Sequence, residues 1–505
     1  MSNHPVQATI YYRERGEHDH IRSLKQSSER CEYMVFSSIE FLLFFLPLFL
    51  ILYGLTPDKY KNVTLLSGSL VFYALGEPWF VFLLMLSVFI NYFFGLHLGR
   101  KVKKKEKDNL QEIFDLDIEY NQRKIYKRRR RLFAAAVALN LGLLGFFKYC
   151  APGDTIPLGI SFYTFQILSY LIDLFRGEER RETSFINLAT YIVMFPQLIA
   201  GPIVNYGEVR EALKHREFTA AGLQEGLKVF TMGLASKVLL ADRIGLLWQE
   251  AQVAGFESIS TPLAWLAAAA YSLKLYFDFY GYSLMAAGLG TMLGFELPCN
   301  FKNPYMAVSV RDFYRCWHMT LGRWFRRYVY IPLGGNRRGE LRTIFNLAAV
   351  WGLTALWHGS TLNFLVWGLM LAALIITERQ LARIRLPRAL RLPAKALSHI
   401  YLLAVIPVTW MCFAITETGQ LRLFLGRMFG TVPGMNVNLN DWRSALENYG
   451  ILFVAGFFAC TPAMEKIFKR FKNHVLGMAM LAVLFWLCVW RLQVEGQNPF
   501  MYSNF

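Results

Sequence analysis

The sequence predicts an all-α fold, a polytopic bundle of membrane-embedded helices, and three observations carry that prediction. The chain of 505 residues is 54% hydrophobic and only 18% charged. Soluble globular domains carry about 25% charge, and disordered chains are far more polar than this one. Apolar runs of near-membrane length recur along the sequence, separated by short polar stretches. The net charge of +18 is concentrated between those runs.

Residues 100–131 hold 13 Lys/Arg against 6 Asp/Glu, residues 311–342 hold 8 against 2, and residues 378–395 hold 6 against 1. These stretches account for the whole excess, so the rest of the chain is neutral. Basic clusters flanking apolar runs follow the positive-inside pattern and place all three stretches in the cytoplasm. A nucleic-acid-binding protein would instead line one soluble face with its charge, so no nucleic-acid partner is expected. The seven cysteines show no C-x-x-C pair and no metal-ligand spacing, so neither a disulfide framework nor a metal site is expected.

Residues 1–33 are polar, lack the apolar core of a signal peptide, and read as a disordered N-terminal extension. Hydrophobicity begins at Met34-Val35-Phe36, which makes Met34 a plausible natural start. Residues 34–505 read as a single membrane domain. A spanning helix needs roughly 20 mostly apolar residues. Candidates lie near 38–55, 62–76, 78–98, 131–150, 157–175, 184–204, 227–247, 261–280, 282–297, 343–357, 361–377, 398–417, 447–463 and 474–491. Several are short enough to be re-entrant, which is tolerated only where protein surrounds them. The expectation is 11–13 embedded helices. Residues 101–130 form a charged cytoplasmic loop whose end, Lys127 to Arg131, meets the anionic lipid surface. Residues 379–395, with Pro387 and Pro393, read as a basic interfacial segment, and 418–446 as an extracytoplasmic loop.

Nine histidines occur, and two stand out. His318 follows Trp317 in the aromatic and arginine-rich stretch 309–337. His358 follows Trp357 and precedes Gly359-Ser360-Thr361. His358 separates two apolar runs whose outer flanks are both basic, so the runs form a hairpin with His358 at its turn. Fifteen helical residues rise about 22 Å against a hydrocarbon core of about 30 Å, which keeps that turn inside the membrane or barely beyond it. An ionisable residue at that depth is a functional-site candidate; the structural alternative is a neutral ring bonded to a carbonyl. Arg323, Arg326 and Arg327 suit phosphates or, alternatively, lipid headgroups and topology anchoring. Leu333-Gly334-Gly335-Asn336 is a turn without the ending of a P-loop. Lys274 and Asp278, four apart in an apolar run, share a helix face, where a structural ion pair competes with a pocket role. No G-x-S-x-G, H-E-x-x-H or Gly-rich dinucleotide motif is present. Two histidines without a carboxylate cluster suit acid–base work better than metal binding.

Several blocks together resemble the membrane-bound O-acyltransferase (MBOAT) family, in its bacterial alginate-O-acetylation-like branch. They are Met34–Phe41 (MVFSSIEF), Pro157–Gly177 (PLGISFYTFQILSYLIDLFRG), Phe195–Tyr206 (FPQLIAGPIVNY), Leu275–Ser283 (LYFDFYGYS), Asn300–Tyr305 (NFKNPY), Asp312–Asn336 with the first His and PLGGN, Gly352–Gly368 with the second His and WHG, and Asn498–Tyr502. They span 34–505 in order, and PLGGNR favours this branch over the one that D-alanylates teichoic acids. Lys274, Tyr280 and Leu284 depart from the Gln, Ser and Asp common in that block.

The resemblance implies helices around a central funnel, with His358 where both membrane faces meet, in a multi-pass protein of the cytoplasmic membrane. It implies acyl transfer, most simply of acetyl, from a cytoplasmic thioester such as acetyl-CoA, with no permanently bound cofactor. The recipient would be a hydroxyl of an exported polysaccharide or an extracytoplasmic acyltransferase partner protein. Because a hydroxyl is a poor nucleophile, a base must take its proton, and neutral His358 suits that task. His318 would orient the donor or stabilise developing negative charge, with Asn336 a further donor to it. Arg323, Arg326, Trp317, Trp357, Asp278 and Lys274 complete the candidate pocket. Two other classes use similar features: a carrier transporter with broken helices, and a non-catalytic scaffold subunit of a polysaccharide-secretion complex.

Overall fold

Helices alone build the fold. The computed structural model describes residues 34–99, 112–152, 155–199, 201–384, 387–435 and 437–496, and contains no strand among them. The polar 1–33 segment, residues 100–111 of the basic loop and the Asn498–Tyr502 block lie outside the described residues.

In chain order the α-helices are α1 Leu46–Leu55, α2 Lys61–Gly76, α3 Phe80–Leu98, α4 Glu112–Gly145, α5 Ile160–Arg176, α6 Phe185–Val193, α7 Phe195–Leu198, α8 Tyr206–Lys214, α9 Ala220–Ala235, α10 Asp242–Ala254, α11 Thr261–Met292, α12 Val310–Cys316, α13 Met319–Phe325, α14 Glu340–His358, α15 Leu362–Leu381, α16 Arg391–Ala414, α17 Thr418–Met428, α18 Asp441–Ala459, α19 Pro462–Phe471 and α20 Val475–Glu495. Wider helical turns extend α4 through Phe146–Cys150 and join α9 to α10 through Ser236–Ala241.

Five described stretches are long and apolar enough to cross a membrane: α3, Arg123–Cys150, α15, α16 and α20. The pair α18 and α19, bent by 77°, makes a sixth. Their outward faces carry large exposed apolar side chains such as Phe82, Ile451 and Trp486, as lipid contact requires. The shorter helices sit among these, where neighbouring protein can satisfy their exposed backbone ends.

The structure departs furthest from the sequence expectation at three elements. Residues 261–280 and 282–297 read as two runs, yet α11 is one helix of 32 residues, about 48 Å long. Gly281 does not break it, because Gly281 is a contact point. A Cβ there would meet the Gly233 carbonyl oxygen at 2.6 Å, and one at Gly288 would meet the Gly226 carbonyl oxygen at the same distance. Small residues at this spacing let α9 and α11 cross backbone to backbone. Residues 184–204 break into α6 and the short α7. The expected extracytoplasmic loop 418–446 contains helix α17.

A buried ionic cluster fastens the same crossing. Lys237, in the wide turn after α9, bonds Asp242 at 2.6 Å and pairs with Asp278 of α11 at 3.0 Å. Such a charge is tolerable at depth only because its partners are buried beside it.

The α14–α15 hairpin forms as expected, with its break at Gly359, Ser360 and Thr361. α14 runs from Glu340 rather than from residue 343, giving 19 residues and about 28 Å. At its basic end Glu340 is bound by Arg379, Gln380 and Arg383 of the α15 side. Those arginines, Arg379 foremost, hold the Glu340 carboxyl below the usual carboxylate range. Gly368 of α15 lets the two arms close tightly, since a Cβ there would meet Ala355 Cβ and the Trp351 carbonyl oxygen at 2.7 Å.

Candidate active site

Two short helices and one hairpin bring the histidines together. Only Trp317 and His318 separate α12 from α13, and His318 adopts left-handed backbone, with φ 45° and ψ 52°. For a non-glycine residue that conformation costs about 1–3 kcal/mol and persists only where the surroundings impose it. Here Asn300 imposes it. Its main-chain oxygen accepts from Met319 N at 2.9 Å. Its Oδ1 meets His318 Nδ1 at 3.1 Å, Thr320 Oγ1 at 2.9 Å and Thr320 N at 3.3 Å. Thr320 Oγ1 also accepts from Ile203 N at 3.1 Å, which ties the loop after α7 into the same knot. His318 Nε2 has no hydrogen-bond partner among the described residues.

His358 is the last residue of α14, where a helix leaves carbonyl groups without intrahelical partners. Two side chains from the end of α4 satisfy them. Lys148 Nζ donates to the Trp357 carbonyl oxygen and Tyr149 OH donates to that of Leu356 at 2.5 Å. Lys148 is buried and also lies over the Trp357 ring at 5.3 Å. The Trp357 ring is wedged between the histidines, 4.8 Å from the His358 ring and 6.2 Å from that of His318. Phe162 and Phe165 of α5 brace it from behind. Trp367 and Phe413 close on the His358 ring at 5.1 and 5.2 Å. Both histidines are only 4% exposed, each fixed from several sides.

His318 and His358 line one inner chamber of about 220 Å³, whose walls are largely aromatic and include Trp317, Phe325, Trp351, Trp367 and Trp410. A second cavity of about 640 Å³ lies outside it, rimmed by Arg311, Arg315, Arg323, Arg326, Asn336 and Arg379. The two share Tyr314, Gly322, Arg326, Tyr330, Leu347 and Trp351, so they form one funnel, basic at the mouth and apolar at the inner end. The mouth is built from the stretches whose charge the sequence assigns to the cytoplasm.

The sequence candidates therefore separate. His318, His358, Trp317 and Arg326 line the chamber, and Arg323, Arg326 and Asn336 line the vestibule. Asn336 thus sits at the rim of the vestibule and does not line the chamber that holds the histidines. Trp357 acts as the wedge behind them. Asp278 and Lys274 line neither cavity: the ion partner of Asp278 is Lys237, and the Lys274 stem lies against Gly245 of α10. Most rim arginines have a carboxylate partner, although Arg311 and Arg315 share one, Asp312. Arg315 pairs with Asp312 at 3.0 Å and Arg379 with Glu340 at 3.1 Å, while Arg327, outside the rim, pairs with Asp173 and Glu178. Arg326, at the neck, has no ion-pair partner among the described residues. Sequence reasoning missed Lys148, although a lone lysine near the end of an apolar run was a usable signal. It also assigned no role to Asn300, whose part depends on contacts that local pattern does not encode.

The profile of the MBOAT, membrane-bound O-acyltransferase family, matches residues 75–417. The chain is 30% identical to the probable alginate O-acetylase AlgI of Pseudomonas putida, over 94% of this chain and 100% of that protein. It is 33% identical to the peptidoglycan O-acetyltransferase of Helicobacter pylori, over 67% of this chain and 69% of that protein. It is 26% identical to the teichoic acid D-alanyltransferase of Lacticaseibacillus rhamnosus, over 51% and 68% respectively. The described residues are all-helical with several helices apolar enough to span a membrane, and the profile match together with 30% identity over 94% of the chain places the protein in the membrane-bound O-acyltransferase family, as a multi-pass membrane O-acyltransferase.

Proposed function

We propose that this protein moves an acyl group, in the simplest case acetyl, from a cytoplasmic thioester such as acetyl-CoA to an extracytoplasmic recipient. That recipient is a hydroxyl of an exported polysaccharide or an acyl-carrying partner protein, and the membrane is the cytoplasmic one. One observation carries the reading: a basic vestibule continues through a neck at Arg326 into an apolar chamber ending on His318 and His358. A phosphate-bearing carrier suits such a mouth, since guanidinium groups bind phosphate through paired, charge-assisted hydrogen bonds. Its apolar arm suits the aromatic walls beyond.

The chemistry at the inner end is a substitution at the thioester carbonyl. The acceptor oxygen forms the new C–O bond as the C–S bond breaks. His358 takes the hydroxyl proton during attack and returns it to the departing thiolate, so the products are an ester and a free thiol. A positioned base of this kind contributes roughly 10²–10⁴-fold. Names of relatives support the recipient class, since those proteins are an alginate O-acetylase, a peptidoglycan O-acetyltransferase and a teichoic acid D-alanyltransferase.

The test is a sided assay. Purified protein in proteoliposomes is given acyl-labelled coenzyme A on the face bearing the basic mouth and a soluble polysaccharide on the other. The expected result is stoichiometric free thiol and labelled ester on the polysaccharide, or on a co-reconstituted partner. Movement of intact label across the bilayer without thiol release would overturn the proposal.

A further inference from the structure

We infer that Asn300 is a positioning residue that holds His318 in its Nδ1–H tautomer, so the ring meets substrate through Nε2 as a hydrogen-bond acceptor. The inference rests on the acyl-transfer reading for what the ring then does, but its geometric half stands alone.

A backbone N–H can only donate. Thr320 N points at the Asn300 side-chain amide at 3.3 Å, so the atom it meets is the oxygen and not the nitrogen. Thr320 Oγ1 and His318 Nδ1 converge on that same oxygen. An amide oxygen accepts and never donates, so Nδ1 must carry the hydrogen. Reversing the amide would press its NH2 group against the Thr320 N–H and face Nδ1 with a donor. The orientation also leaves Asn300 Nδ2 without a partner among the described residues, a cost accepted to keep three bonds on Oδ1. The backbone supports this arrangement. Met319 N bonds the Asn300 carbonyl and Lys302 N bonds the Cys316 carbonyl at 3.0 Å, so both flanks of His318 are pinned to the 300–302 segment. The left-handed backbone at His318 lets its ring turn back toward that segment.

In a neutral ring with Nδ1 protonated, Nε2 presents a lone pair. It has no partner among the described residues, and His318 lines the inner chamber. A lone pair repels a developing oxyanion, so this tautomer selects between the two roles considered for His318: it orients the donor. The matching group is an amide N–H of the carrier arm, which needs an acceptor once it leaves water for an aromatic chamber.

The test uses the full-length protein in nanodiscs with 15N-labelled histidine. The His318 ring signals are assigned by their loss in His318→Gln. The expected wild-type spectrum has a protonated Nδ1 and an unprotonated Nε2. A protonated Nε2 with a bare Nδ1 would overturn the inference, whatever the transfer assay shows. In Asn300→Leu the tautomer preference is expected to relax, and KM for acyl-CoA to rise about 10-fold with kcat changed less. Asn300→Asp, which keeps an acceptor at the same place, is expected to restore both the tautomer and KM. Equal tautomer populations in wild type and Asn300→Leu would also overturn it. If no transfer occurs but Nδ1–H is found, the functional reading fails and the positioning role stands.

Discussion

Two polar clusters in this protein differ in what they leave open. Around the α9–α11 crossing, Lys237, Asp242 and Asp278 spend their charges on one another. Around the chamber, the buried His318 Nε2 has no hydrogen-bond partner and the exposed Arg326 guanidinium no ion-pair partner among the described residues. The first cluster holds helices together. The second keeps polar groups available along a passage, and there the buried His318 nitrogen goes without a partner at a cost in stability that a ligand would offset. Burial alone therefore does not mark the site in a membrane bundle, whereas a buried polar atom that faces a cavity and lacks a partner does.

Substitutions that separate folding from turnover test that contrast. The largest effect is expected at the crossing. Lys237→Met strands two buried carboxylates and should cost about 3–5 kcal/mol, read as loss of folded protein on size-exclusion chromatography. Any protein that does fold should keep a normal KM for donor. Gly322→Leu should do the reverse. Gly322 lines both cavities, and the nearest atom to a Cβ built there is the Tyr314 carbonyl oxygen at 4.0 Å. The larger side chain would plug the neck, leaving melting temperature unchanged while transfer from acyl-CoA falls about 100-fold, or roughly 2.7 kcal/mol. Arg326→Ala should act more gently, raising KM for acyl-CoA about 10-fold at near-constant kcat, the pattern of lost uniform binding. Should Arg326→Ala instead behave like Lys237→Met, the distinction between the two clusters would collapse.

Much of this was legible in the sequence, and the failures have physical reasons. The α14–α15 hairpin and its histidine could be read because polar residues interrupting apolar runs are rare and costly in lipid. Arg326 could be read as a basic residue but not as the unpaired one, since its neighbours' partners come from remote elements, such as Asp173 for Arg327 and Glu340 for Arg379. Lys274 and Asp278 suggested a pair because four residues make one helix face, yet Lys237 from another element takes the carboxylate. Residues 261–280 and 282–297 read as two runs because local pattern cannot distinguish a flexible glycine at 281 from one pressed against a neighbouring backbone. Asn300 lies 18 residues from His318 in a segment without regular structure, so no periodicity connects them.

The central claim is that the imidazole of His358 performs the transfer at the inner end of the funnel. The most direct measurement is single-turnover thiol release and ester formation by His358→Ala in proteoliposomes, with acyl-CoA and acceptor both saturating. The account predicts a variant that inserts and melts like wild type, with the transfer rate lowered by at least about 100-fold. Transfer at the wild-type rate by a folded His358→Ala protein would contradict it.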